Sequence, residues 1–244
     1  MIDAAIETFV HGFAFTRSLT HPYLADRVGP LWRLRDGPRR RPPYRREEWV
    51  ANGQAAANVD PIVRRHAEGR FAICAVVESP DDIAACRDDY EALGYRLHGT
   101  EPVMAHDLAR VPRAVRSPAT VERVDAPEMA DRVNKAAGRR QVLPEHLVPD
   151  APLRQYAATV DGAVVGWVRS IVVGQRTWCS NMHVVPAHRR RGIGRAMLAH
   201  LLRDDRGHGS TLAVLTASHT GALLYPTVGF RQVGTLLLLT PRRA

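Results

Sequence analysis

The segment His183–Met197, HVVPAHRRRGIGRAM, decides how this chain is read. A β-prone run ends at Pro186 and a turn follows. Ile193, Met197 and Leu201 then fall at i, i+4 and i+8, and Leu198 and Leu202 widen the same stripe. That is the apolar face of an amphipathic helix opening at or near Gly192. The first N–H groups of a helix lack intrahelical acceptors, and the helix dipole adds partial positive charge there. Bare backbone at Gly192 and Gly194 lets an anion approach closely, so the turn reads as a phosphate cradle. The competing reading is a solvated, charged helix start. Arginines at a helix N-terminus oppose the dipole, however, and a bound polyphosphate would offset this. The spacing matches neither a Walker loop nor a dinucleotide fingerprint.

Bulk properties narrow the function classes. The chain has 244 residues, long for one small domain and comfortable for two. No run approaches the roughly 18 consecutive apolar residues of a membrane span. The first residues, MIDAAIETFVHGF, lack a basic region followed by an apolar core and do not read as a signal peptide. Cys74, Cys86 and Cys179 are odd in number and widely spaced, which fits a reducing cytoplasm and neither a disulfide framework nor a zinc site. No HExxH pattern occurs among the 11 histidines, so no metal is expected. The net charge is +9, yet Lys135 is the single lysine among 34 basic residues. Lysine contacts phosphate well as a point charge, so its near exclusion reads as a compositional habit rather than a nucleic-acid interface. Neither nucleic acid nor membrane is expected as a partner. A homodimer is allowed but not required.

Along the chain, residues 3–17 have helical apolar spacing and Arg35–Trp49 reads as a Pro- and Arg-rich loop. Asp60-Pro61 reads as the start of a helix reaching Glu68. RFAICAVV is a strand, and SPDDIAACRDDYEALGY carries the cap, proline and early acids of a helix start. Residues 107–121 read as a linker between a first domain, 1–115, and a second, 116–244. The second opens with a short strand, ATVERVDA, and two helices across residues 127–148. LRQYAATVDGAVVGWVRSIVV then forms a hairpin turning at Asp161-Gly162, followed by the strand RTWCSNMHVV. After the central helix come STLAVLTA as a strand, SHTGALLYPTVGF as a short helix, and RQVGTLLLLT as a closing strand. Strands alternating with helices after a hairpin predict a mixed α/β sheet.

The two halves also repeat. YEALGYRLHGT (Tyr90–Thr100) and YPTVGFRQVGT (Tyr225–Thr235) align at a constant offset, sharing Tyr, Gly, Arg, Gly and Thr. No RxxGxG precedes the first copy, so one anion cradle per chain is expected.

Arg189, Gly192 and Gly194 in RxxGxG, behind a strand and a proline, resemble the acyl-CoA pyrophosphate loop of the GNAT N-acetyltransferase family. Tyr225, Gly229 and Phe230 supply that family's second signature. The resemblance covers residues 119–241. It implies a central mixed sheet flanked by helices, with residues 1–115 as a degenerate half-domain resembling the back part of the same fold. It further implies acetyl-CoA as co-substrate and direct transfer to an amine on a small molecule or peptide. Backbone groups of Met182, His183 and Val184 would pair with the pantetheine arm, and one of those N–H groups would polarise the thioester carbonyl. Amides of Arg190, Arg191, Gly192, Ile193, Gly194 and Arg195 would surround the pyrophosphate. Ser218 stands where many members have an asparagine that contacts the cofactor. Tyr225 would protonate the departing thiolate. The strands TWCSNMHVV and STLAVLTA contain no acid to serve as base; His183 and His219 are the nearest titratable groups, a water chain is the equal alternative, and His183 reads first as an ordinary strand residue. An acyl-CoA-binding regulatory module without catalysis is the alternative.

Overall fold

In a computed structural model, residues 1–39 and 44–242 are described. The chain folds as two units. One comprises Met1–Met104, Thr216–His219 and Gln232–Ala244; the other comprises Ala105–Leu215 and Thr220–Arg231.

The first unit begins with α1 (Ile2–Ser18), then β1 (Tyr23–Val28), β2 (Leu31–Asp36) and β3 (Glu47–Asn52). These three strands are antiparallel neighbours in chain order. The crossover helix α2 (Ala56–His66) returns the chain to β4 (Phe71–Val77), parallel to β3. Helix α3 (Asp82–Ala92) leads into β5 (Tyr95–His106), most of which belongs to this unit. The chain's last strand, β11 (Arg231–Pro241), pairs antiparallel with β4 through Thr235↔Val77 and Leu237↔Ala75. The first of these units runs to Met104, and the C-terminal strand groups with the N-terminal elements. Trp49, Val59, Val63, Ile73, Tyr95 and Leu237 form part of one buried cluster here.

The Arg35–Trp49 loop is shorter than its sequence suggests. Strand β2 holds Arg35 and Asp36, and β3 starts at Glu47; residues 40–43 of that stretch lie outside the described residues. Asp60-Pro61 does not start a helix: Pro61 lies inside α2. Ala56, Val59 and Val63 share one buried face, and that packing outweighs the single helical hydrogen bond proline removes.

The second unit runs β6 (Thr120–Arg123), α4 (Pro127–Ala137), β7 (Leu153–Val160), β8 (Ala163–Val173), β9 (Arg176–Val184), α5 (Ile193–Gly207) and β10 (Leu212–Thr216, whose Thr216 groups with the first unit). Strands β6 to β9 are antiparallel neighbours, and β10 is parallel to β9. Asp161 and Gly162 both have positive φ, 49° and 76°, as a two-residue I′ hairpin turn requires. Of the two helices expected across 127–148, only α4 forms; the second is a single 3-10 turn at Pro144–His146. Prolines at 144, 149 and 152 prevent a longer one. SHTGALLYPTVGF likewise folds as two 3-10 turns, Gly221–Leu223 and Tyr225–Val228, rather than one helix.

The units share a run of connectivity, β1–β3, α2 and β4 in one and β7–β9, α5 and β10 in the other: three antiparallel strands, a crossover helix, then a parallel strand. The first unit thus carries the meander as well as the back part of the pattern. The repeated sequence motif has a common geometry too. Tyr90 meets Tyr95 edge-on at 5.6 Å, and Tyr225 meets Phe230 at 5.8 Å. In each copy the intervening glycine is left-handed, Gly94 at φ 83° and Gly229 at φ 101°.

Candidate active site

The site is built where β9 loses its neighbour. Pairing with β10 runs from Leu212↔Arg176 to Val214↔Trp178 and then stops, although β9 continues for six more residues. Thr177, Trp178 and Cys179 are buried, whereas Ser180–Val184 are only half-buried. Two parallel strands have parted and left a backbone edge open. On the other side β9 stays paired with β8, but Asn181 and Met182 together oppose Val168, because the register slips between Trp167↔His183 and Arg169↔Ser180. This β-bulge puts Asn181 at φ 55°. Val185 N–H bonds Val165 O on β8, so strand alternation turns the peptide groups of Val184 towards the open edge. Gly166, opposite Val184, is required by this approach, since a Cβ there would lie 2.9 Å from His183 O.

Beyond β9 the chain makes one 3-10 turn at Pro186–His188 and enters α5. Arg190 is left-handed at φ 62° and Gly192, the N-cap, at φ 79°. The first backbone bond of the helix runs from Ala196 N–H to Gly192 O at 3.0 Å. The N–H groups of Ile193, Gly194 and Arg195 ahead of it are those a helix start leaves without intrahelical acceptors. Left-handed residues beside a helix start form a concavity of N–H groups suited to anions. The two glycines serve different needs. Gly192 is needed for its positive φ. Gly194 is needed for space, because a Cβ there would lie 3.1 Å from both Leu224 Cδ2 and Met182 Cε. Arg189 is a fastener: its Nε donates to Val184 O at 2.9 Å. The side chains of Arg190, Arg191 and Arg195 are exposed.

Tyr225 opens the 3-10 turn after Leu224 and is buried. Burial, reinforced by the neighbouring Cys179 thiol, holds its phenol well above the ordinary tyrosine range, so it is fully protonated at neutral pH. Among the described residues its Oη has no hydrogen-bond partner. His183 stacks on Trp167 with centroids 4.5 Å apart, and burial, Arg189 and Arg139 lower its pKa. Met182, His183, Val184, the loop Arg189–Arg195 and Tyr225 are all carried by the second unit. Ser218 and His219 belong to the four-residue segment grouped with the first, where His219 Nε2 lies 3.3 Å from Thr100 Oγ1. The bulge at Asn181 and the tight space at Gly166 were not foreseen; the isolated glycine in a strand was the available signal.

Behind the site α5 is anchored by charge. Asp205, wholly buried, accepts from Arg154 at 2.7 Å, Ser170 at 2.8 Å and Thr177 at 2.8 Å. Three strands are thereby fixed to one helix.

Comparison with known proteins agrees with this geometry. Residues 152–232 match the family model described as an acetyltransferase (GNAT) domain, a span that takes in β7 to the start of β11. The family likeness in sequence is carried by these residues. Among solved structures it resembles a GCN5-related N-acetyltransferase from Kribbella flavida, with TM-score 0.70 and 18% identity over 99% of this chain and 96% of that one. It also resembles a GCN5-related N-acetyltransferase from Sphaerobacter thermophilus, with TM-score 0.56 and 18% identity over 86% and 76% of the respective chains. A third is a putative GNAT-family acetyltransferase from Novosphingobium aromaticivorans, with TM-score 0.54 and 15% identity over 98% and 97%. At these identities the likeness concerns the fold. No curated protein matches the sequence. No helix among the described residues is long and apolar enough to cross a membrane.

Proposed function

We propose that this protein is an N-acetyltransferase that passes the acetyl group of acetyl-CoA directly to an amine on a small molecule or peptide in the cytoplasm. The observation that carries this reading is the parting of β9 from β10 immediately ahead of the Arg189–Arg195 turn. An open strand edge and an anion cradle in series suit a pantetheine arm that ends in a pyrophosphate. The edge of Met182–Val184 would hold the arm by backbone pairing, and an N–H of that edge would polarise the thioester carbonyl. The amides of Arg190–Arg195 would face the pyrophosphate, with the exposed arginines adding charge. Ser218 is retained as a candidate contact.

Acetyl-CoA supplies the activated acyl group. The attacking amine forms the new C–N bond as the C–S bond breaks, and Tyr225, kept protonated by burial, gives its proton to the departing thiolate. The amine must lose a proton. His183 is the one imidazole or carboxylate on β9, and its lowered pKa leaves it neutral and able to accept. No metal, nucleic acid or membrane has a part in this scheme.

The test is thiol release from acetyl-CoA across an amine panel, compared with Tyr225→Phe. Turnover in the wild type that falls at least ten-fold in the variant supports the proposal. Acetyl-CoA binding without turnover of any amine would identify an inert binding module instead.

A further inference from the structure

One face of β8 and β9 holds a charge that the protein does not answer. Arg169 lies on β8 opposite Gln155 of β7 and Ser180 of β9. Ser170 and Thr177 reach Asp205 of α5, so the alternating residues Arg169 and Ser180 face away from that helix. Arg169 is 7% exposed. Among the described residues its one hydrogen bond is long, from Nη1 to Gln141 O at 3.4 Å, and its Nε has no partner. Among the described residues no carboxylate pairs with it. The charge acting on it is another cation, Arg139, and burial together with that neighbour pushes its pKa down to about 10. The other buried arginine of this sheet, Arg154, has Asp205 at 2.7 Å. An unpaired buried guanidinium is strongly unfavourable, and proteins ordinarily supply the counter-ion.

The unfilled polar groups around Arg169 lack the same thing. Arg169 Nε, Gln141 Nε2 and Trp167 Nε1 are buried donors without acceptors, and Ser180 Oγ, also unpartnered, can donate. Gln155 Oε1, on the neighbouring strand, and the lone pairs of Ser180 Oγ are the orphaned acceptors of this cluster, and neither carries a charge. Gln141 is tied to the bulge through a hydrogen bond with Asn181, and Arg139 reaches Asn181 Oδ1 at 2.7 Å. A guanidinium and several N–H donors shielded from water suit a carboxylate, which accepts two parallel hydrogen bonds from arginine. The cluster adjoins the bulge, and so the stretch of β9 assigned above to the thioester. Its cover is the segment 139–151, which has no regular structure beyond one 3-10 turn.

We propose that Arg169, with Arg139 and Gln141, binds the carboxylate of the acceptor, which is therefore a small amino acid-like molecule bearing an amine and a carboxylate. This rests on the acetyltransferase reading and narrows its acceptor class.

The experiment uses the full chain in two stages. Calorimetric titration with acetyl-CoA comes first; failure to bind overturns the acetyltransferase reading itself and this proposal with it. Where acetyl-CoA binds, kcat/KM is measured by thiol release for amino acids and for their α-carboxamides. The expected result is a preference of at least ten-fold for the carboxylate, falling to within two-fold in Arg169→Gln while the acetyl-CoA Kd is unchanged. Carboxamides used as well as the acids, or a preference that survives Arg169→Gln, overturns the proposal. If Arg169→Gln does not fold, the more exposed Arg139→Gln must raise KM for the carboxylate acceptors and leave KM for the carboxamides unchanged; no such split overturns it. If no amine on the panel turns over, N-acetylated amino acids must still raise the wild-type Tm; no shift overturns it.

Discussion

Gly194 at the start of α5 and Leu224 just ahead of Tyr225 approach so closely that a Cβ on the glycine would lie 3.1 Å from Leu224 Cδ2. Met182 Cε sits at the same distance. The helix start, the open strand edge and the tyrosine turn therefore meet at one residue without a side chain. Gly194→Val should displace Leu224 and with it Tyr225. The expected result is at least a ten-fold loss of thiol-release activity with the far-UV circular dichroism unchanged. Full activity in the valine variant would show that the three features are not mechanically joined.

His106 fills the space beside Gly229. A Cβ on Gly229 would lie 2.8 Å from His106 Nε2, and its φ of 101° disfavours any side chain. Gly229→Ala should lower stability by about 2–4 kcal/mol, combining backbone strain and overpacking. Urea unfolding of Gly229→Ala, His106→Ala and the double variant separates the two: the steric part should vanish in the His106→Ala background and the backbone part remain.

Burial lowers the pKa of His106, against smaller opposing effects of Asp107 and the Val228 backbone, and burial also lowers that of His200. A histidine whose folded pKa is depressed binds its proton more weakly folded than unfolded. Its contribution to stability is present above the ordinary histidine pKa and is lost as pH falls through the folded value. The protein should therefore lose stability as pH drops from 7.5 to 5, and His106→Phe should flatten that slope. An unchanged slope in urea unfolding across this range would contradict the assignment.

Asp205→Ala leaves the buried Arg154 with only the longer contact to Asp204, at 3.9 Å, and frees two hydroxyl donors. The expected cost is about 3–5 kcal/mol in urea unfolding. Replacing both partners, Arg154→Met with Asp205→Leu, should recover much of this, because the penalty belongs to the uncompensated charge.

Much of the second unit was legible because its signals are local. Asp161-Gly162 fixes a hairpin by turn chemistry alone, and the stripe Ile193, Met197, Leu201 fixes α5; all three of its residues are buried. The hairpin of β1 and β2 gave a weaker signal. Arg27, Arg33 and Arg35 interrupt its apolar alternation, and in the fold Arg27 lies over the Trp32 ring at 3.9 Å. Pro61 misled because a local rule lost to packing of Val59 and Val63. The Arg169 cluster could not be seen at all, since it assembles residues from α4's exit, β7, β8 and β9 that share no sequence pattern. Site residues carried by one short segment were identifiable; those made by register and bulge were not.

The central claim is tested most directly by titrating the full-length protein and its Gly192→Glu variant with acetyl-CoA in a calorimeter. The variant places a side chain at φ 79° and a negative charge at the cradle. The predicted result is one acetyl-CoA bound per wild-type chain and none detectable in the variant. No binding by the wild type, or undiminished binding by Gly192→Glu, would contradict the assignment of the Arg189–Arg195 turn as the pyrophosphate site.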